Sequence, residues 1–215
     1  MENTTNTILY SKNADEVLFP GSTVKIMTCL LALENTQLTD EVTMTATGVS
    51  GVTDGGASIS SQVDEVFTVE QCLYAIMVAS ANDIALQIAE HVGGSVDGFV
   101  QQMNTRAQEL GCTNTVFTNP TGLPDDNQHT TAHDMALIMQ AAIQNESFRT
   151  IAAATSYTIP ATNKAAARNL TSKFTMTDTG STGFYEGCIG GKEGYTEASG
   201  STLVCAAQRL SLIHI

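Results

Sequence analysis

The sequence predicts an α/β protein of the α+β kind with two lobes, a mixed-sheet lobe and an all-helical lobe inserted into it. Three observations predict it. Strand-prone segments lie at both chain ends, helical periodicity fills the middle, and 215 residues at 42% hydrophobic suffice for a substantial core.

In chain order, Thr7-Ile-Leu-Tyr10 is a short β-prone run ending at the turn-like Lys12-Asn13-Ala14-Asp15, and Val17-Leu18-Phe19 precedes Pro20-Gly21. Beyond that turn Val24, Met27, Leu30, Leu31 and Ala32 recur near helical spacing through Leu33, which sets Ser22 at or beside a helix N-terminus. Thr68 with Gln71 reads as a capping box opening a helix whose stripe, Val69, Cys72, Leu73, Ile76 and Met77, stops at Ser80. A second helix starts near Asn82 and runs to Gly93-Gly94. A third, capped by Ser95, carries Phe99, Met103, Ala107 and Leu110 to Gly111. Thr118 to Pro124 is too rich in turn formers to be regular, and Thr131 with Asp134 opens a further helix. At the end, Gly187 to Tyr195 and Thr202 to Ala206 read as strands joined by a hairpin at Glu197 to Gly200. The sheet lobe thus takes about residues 1–33 and 155–210, and the helical lobe about 34–154.

A formal charge of −13 leaves no basic surface for a phosphate backbone, which excludes nucleic acid as a partner. No apolar run reaches the ~18–20 residues of a membrane span, and Met1 is followed by polar residues instead of an export signal's basic and apolar regions. Cys29, Cys72, Cys112, Cys188 and Cys205 are scattered, with no C-x-x-C pair and no histidine at ligand spacing. Neither a metal nor a cofactor is suggested, and buried free thiols are expected.

Three motifs carry chemistry. In Ser22-Thr23-Val24-Lys25, residues i and i+3 share a helix face, so the Lys25 amine can serve as the base that a serine nucleophile needs. Taken singly, the pattern equally describes a helix cap followed by a solvated lysine. Ser80-Ala81-Asn82 lies at a break between helices, where a hydroxyl and an amide can project into a cleft, although Asn82 could simply cap the next helix. Gly190-Gly191-Lys192-Glu193-Gly194-Tyr195-Thr196 puts a lysine on a glycine-rich strand that a ligand or backbone can approach closely.

In this order and spacing the three resemble the active-site set of the penicillin-recognising serine enzymes. With Asn119-Pro-Thr-Gly-Leu123 and His129-Thr-Thr-Ala132, they are similar to the D-alanyl-D-alanine carboxypeptidases among the low-molecular-mass penicillin-binding proteins, from about Ile8 to Ala207. The resemblance implies the DD-peptidase/β-lactamase-like fold with a site between its lobes. It implies Ser22 as nucleophile, Lys25 as base, Ser80 as proton relay and Asn82 as the group orienting substrate amide and Lys25. Lys192 would attract the substrate carboxylate, Glu193, Gly194 and Tyr195 stand beside it in the substrate-binding set, and the Ser22 and Tyr195 N–H groups would form an oxyanion hole. Lys25 is expected to reach both the Ser22 and Ser80 hydroxyls. The implied partners are a peptidoglycan stem peptide and β-lactams, outside the cytoplasm, with a parent protein that can be membrane-associated.

Two departures from the family stand out, and one contrast with the alternative reading as a serine β-lactamase. Glu193 replaces the threonine or serine of the family's Lys-Thr-Gly or Lys-Ser-Gly; it would repel a substrate carboxylate, unless it points away from the cleft or pairs with Lys192. The glutamate-bearing E-x-x-L-N loop of a serine β-lactamase is missing, with Asp125 or Asp126 as the nearest substitutes, so slow release of a penicilloyl adduct is expected. The sheet is expected to be incomplete at both chain ends, residues 211–215 to be a foreign or truncated end, and the exposed edges to favour self-association. A non-catalytic wall-binding module that lost turnover through Glu193 is the reading from another class.

Overall fold

The run Lys25-Ile-Met-Thr-Cys-Leu-Leu-Ala has almost no polar face, and a helix apolar all round must be covered on all sides. In the computed structural model, which describes residues 1–50, 56–209 and 212–215, this run is α1 (Lys25–Asn35), with every residue from Lys25 to Ala32 buried. A 3-10 turn at Gly21–Val24 leads into it. After β1 (Glu41–Thr43), α2 (Ala46–Ser50) and β2 (Val66–Thr68) come α3 (Val69–Val78), α4 (Asn82–Gly93), α5 (Val96–Glu109), α6 (Ala132–Ala142) and α7 (Glu146–Ala152). The helices α3 to α7 pack around α1, so the chain segment that follows Ser22 is the pillar of the core.

Their boundaries follow from caps. Thr68 Oγ1 accepts from Gln71 N at 3.2 Å while Thr68 N donates to Gln71 Oε1 at 3.0 Å, the reciprocal bonding expected of that pair. Ser95, Thr131 and Asn145 cap α5, α6 and α7 by accepting from Gly98 N, Asp134 N and Phe148 N. The helix α7 goes beyond the sequence expectation, because seven residues are too few for a period to show.

The strands pair antiparallel throughout the described residues: β1 with β2, β3 (Ser156–Ile159) with β4 (Arg168–Thr171), and β5 (Cys188–Thr196), β6 (Gly200–Arg209) and β7 (Leu212–His214) in the order β5-β6-β7. The expected mixed sheet is therefore corrected to antiparallel pairs. The links from β5 to β6 and from β6 to β7 span only a few residues, whereas a parallel neighbour needs a crossover of a dozen or more. Thr7 to Tyr10 form no strand either. Both sides of β6 are occupied, Ile8, Leu9 and Tyr10 stay exposed, and a strand without a ladder has nothing to hold it. Of the last residues, Ser211 lies outside the described set. Ile215 N donates to Met1 O, and the Met1 ammonium donates back to Ile215 O.

One ion pair ties β4 to the segment before β2. Arg168 forks onto Glu65 at 2.7 and 3.0 Å, and Thr162 Oγ1 and Gln62 N also donate to this fully buried carboxylate. Burial pushes the Glu65 carboxyl up, but the bonds from Arg168 and Thr162 outweigh it and hold it below the usual carboxylate range. Cys29, Cys72 and Cys112 are buried free thiols, while Cys188 and Cys205 are free but only half-buried, a correction for those two.

Candidate active site

Two lysines, Lys25 and Lys192, are fully buried, and lysine is among the side chains least often found there. Lys25 opens α1, three residues after Ser22. Its Nζ bonds Ser22 Oγ at 3.2 Å, Asn82 Oδ1 at 2.8 Å and the Thr121 main-chain oxygen at 2.5 Å. The last two atoms can only accept, so each holds one N–H of the amine. Once Lys25 loses a proton, its lone pair is left facing Ser22, the single partner of the three able to donate. An amine so placed could take a proton from that hydroxyl.

The electrostatics favour that neutral form. Burial, and then the positive charge of Lys192, push the Lys25 amine from its ordinary 10.5 down to about 7. Glu193 opposes this. Cys29 does not, since burial pushes its thiol up to about 12 and leaves it uncharged. The first turn of α1 contains no acidic residue that would restore the charge.

Asn82 is brought to Lys25 by the break between α3 and α4. Ala81 occupies the cap position in an extended conformation, and Asn82, the first helical residue, turns its side chain to the lysine instead of to the backbone. Its capping role is thereby replaced by a site contact. Ser80 has φ +58°, a conformation uncommon for a residue with a side chain, and sits half-buried at the break. The expected bond between Lys25 and Ser80 is not formed: among the described residues the three partners of Lys25 are Ser22, Asn82 and Thr121. Behind the break, fully buried Asp83 accepts from Ser58 Oγ at 2.8 Å, Ile59 N at 3.4 Å, Ser61 N at 3.1 Å and Ser61 Oγ at 2.7 Å, while Asn82 N donates to Ala57 O at 2.8 Å. The segment 57–61 is thus clamped to the residues that hold Lys25.

The Thr121 carbonyl was not among the expected site groups. Thr28 Oγ1 donates to Pro120 O at 2.7 Å, and Asn119 Oδ1 accepts from Thr121 N, Thr121 Oγ1 and Gly122 N, which locks the irregular loop against α1. Gly122 lies at φ +84°, and a Cβ there would collide with Gly21 O beside Ser22. The turn-rich text of Asn119 to Leu123 was legible, but a main-chain acceptor carries no residue-type signature.

From the other side, β5, an edge strand among the described residues, faces the 3-10 turn. A Cβ on Gly194 would stand 2.7 Å from Ser22 N and 2.7 Å from Thr202 Oγ1, so only glycine lets the strand come this close to the Ser22 backbone. Lys192 donates to Glu193 O at 2.6 Å and to Glu193 Oε2 at 2.8 Å. Of the orientations open for Glu193, pairing with Lys192 is the one observed. Burial lowers the Lys192 amine, with Glu193 acting against it. Tyr195 exposes its side chain at 70%, so its contribution on the cleft side is main chain. Among the described residues no group of His, Cys, Asp and Glu could hold a metal ion.

A family model described as D-alanyl-D-alanine carboxypeptidase matches residues 1–213. The chain is 35% identical over 216 residues to the D-alanyl-D-alanine carboxypeptidase DacF of Bacillus subtilis, covering 97% of this chain and 53% of that one. It is 34% identical to DacB2 of Mycobacterium tuberculosis, covering 88% of this chain and 62% of the relative. It therefore spans about half to three fifths of the length of these two relatives. Among solved structures, the DD-transpeptidase of Streptomyces K15 superposes with a TM-score of 0.90 at 30% identity, over 99% of this chain and 84% of that one. The fold is the two-lobed DD-peptidase fold of the penicillin-binding proteins, and the chain belongs to the D-alanyl-D-alanine carboxypeptidase family.

Proposed function

We propose that the chain carries the catalytic site of a serine-type D-Ala-D-Ala carboxypeptidase, which removes the terminal D-alanine from peptidoglycan stem peptides. The observation that carries this is the triple anchoring of Lys25, in which two fixed acceptors leave its lone pair facing Ser22. Lys25 takes the proton of Ser22 Oγ as the oxygen attacks the carbonyl between the two D-alanines. The developing oxyanion would be met by the N–H of Ser22, one of the first N–H groups of a helical turn and without a partner among the described residues, and by that of Tyr195 on the adjoining edge of β5. The proton would then reach the leaving amine by way of the Ser80 hydroxyl, a relay that requires Ser80 to come within reach of Lys25 once substrate binds. Water next hydrolyses the acyl-enzyme.

β-Lactams would acylate the same serine, and without a glutamate-bearing loop the adduct should be released slowly. The stem peptide places the work in the cell envelope, outside the cytoplasm. No described helix is long and apolar enough to cross a membrane. The test is intact-mass spectrometry after incubation with a penicillin: one adduct is expected on Ser22 and none on folded Ser22→Ala. An adduct at full stoichiometry in the variant refutes the assignment. No adduct on the folded wild type points to the wall-binding module instead.

A further inference from the structure

Helix α4 begins without a cap of its own. Its cap position is held by Ala81, which has no side-chain oxygen to offer, and Ser80 just before it lies at φ +58°. What fixes the start of the helix comes from a distant segment instead. Asn82 N donates to Ala57 O at 2.8 Å, and the Asp83 carboxylate accepts from Ser58 Oγ, Ile59 N, Ser61 N and Ser61 Oγ at 2.8, 3.4, 3.1 and 2.7 Å. Asp83 is fully buried, and among the described residues no cation pairs with it. A charge so placed is costly unless its neighbours replace the water it has lost. The neutral donors of segment 57–61 do so, together with the positive end of the α4 dipole, in whose first turn Asp83 stands. The carboxylate keeps this solvation only while the segment and the helix start stay in place against each other.

The residue beside it is the one that holds the base. Asn82 and Asp83 are consecutive in the first turn of α4, so a shift of that turn moves both. Asn82 Oδ1 accepts from Lys25 Nζ at 2.8 Å and is one of the two fixed acceptors that leave the Lys25 lone pair facing Ser22. A displacement of ~1 Å at such a group can cost on the order of a hundredfold in rate. We infer that Asp83 is a positioning residue for acyl transfer: by fastening the first turn of α4 to segment 57–61, it holds the Asn82 amide where Lys25 needs it. Its own bonds all go to segment 57–61, so it acts on Lys25 only through Asn82. The inference rests on the acyl-enzyme reading above and adds to it a residue outside the three motifs behind that reading.

The experiment is a double-mutant cycle read by acylation of Ser22 with a fluorescent penicillin, separating the non-covalent binding constant from the acylation rate constant. Asp83→Asn keeps the shape of the side chain but sets an NH2 among donors. It should lower the acylation rate constant on the order of tenfold and leave the binding constant unchanged. In an Asn82→Ala background, where Lys25 has already lost that acceptor, Asp83→Asn should change the rate by less than about twofold. Ser58→Ala withdraws one hydroxyl and leaves the carboxylate in place; it should show a smaller loss with the same dependence on Asn82, and it supplies the cycle if circular dichroism shows Asp83→Asn unfolded. Equal losses in both backgrounds, or a wild-type rate in the folded variant, overturn the inference and leave Ser22 and Lys25 as assigned. Absence of any penicillin label on folded wild type overturns the nucleophile assignment itself, and the inference with it.

Discussion

Lys25 must titrate in the working range if it is the base for Ser22. Its amine is brought from 10.5 to about 7, first by burial and then by Lys192. At pH 7.5 about three quarters of such amines are neutral, against roughly one in a thousand for an unperturbed lysine, a gain of several hundredfold in free base. The acylation rate constant for a fluorescent penicillin, followed by stopped flow from pH 5.5 to 9.5, should therefore climb about tenfold per pH unit on the acid side and level off above about 7. Lys192→Met removes the neighbouring like charge and leaves Glu193 acting on Lys25 without its counter-ion, so the same limb should move to higher pH. The ionisation also has a stability signature. The unfolded amine keeps its proton to about 10.5 while the folded one gives it up near 7, so between those values the unfolded state binds more protons and stability rises with pH. The gap of about 3.5, at ~1.36 kcal/mol each, bounds that rise at roughly 5 kcal/mol, and Lys25→Met should abolish it. An acylation rate that is flat from pH 5.5 to 9.5, or still climbing tenfold per unit at pH 9.5, would refute Lys25 as the base.

Two further outcomes test the packing around the site. Gly194→Ala puts a methyl group 2.7 Å from Ser22 N, and the displaced nucleophile should acylate on the order of a hundredfold more slowly, with the crowding costing about 1–3 kcal/mol of stability; labelling at the wild-type rate would show that the strand has room to spare. Arg168→Ala strands the buried Glu65 carboxylate and should cost about 3–5 kcal/mol, seen as a drop on the order of 10 °C in thermal midpoint. Because the Glu65 carboxyl is held below its ordinary value of 4.5, the wild-type advantage over Arg168→Ala should be present at neutral pH and disappear as the pH falls through the acid range.

Much of this arrangement was readable from residue types, because its causes are local. The capping box at Thr68 and Gln71, the caps at Ser95 and Thr131, and the turn at Glu197 to Ser199 each depend on residues a few positions apart, and each lies where the pattern puts it. The i, i+3 relation of Ser22 and Lys25 is local as well. Strand direction and the fate of Thr7 to Tyr10 depend on which ladder edges remain open after distant segments have paired, and no window of sequence contains that. The Thr121 carbonyl escaped for another reason: every residue has one, so its position is chosen by Asn119, Gln128 and Thr28 acting together on the loop. The contact between Lys25 and Ser80 failed because Asn82 and Thr121 already hold the donors that Ser22 leaves over.

The carboxylate of Asp83 gathers four donors from Ser58, Ile59 and Ser61 at the point where two helices part. Releasing any one of these donors weakens the solvation of a buried negative charge that the others must then carry, so partial opening is penalised more than the loss of a single bond. Segment 57–61 and the first turn of α4 should therefore behave as one cooperative unit in native-state hydrogen exchange, their amides opening together. A short irregular segment that would fray if held by one bond should instead share the slow breathing of the helix that presents Asn82.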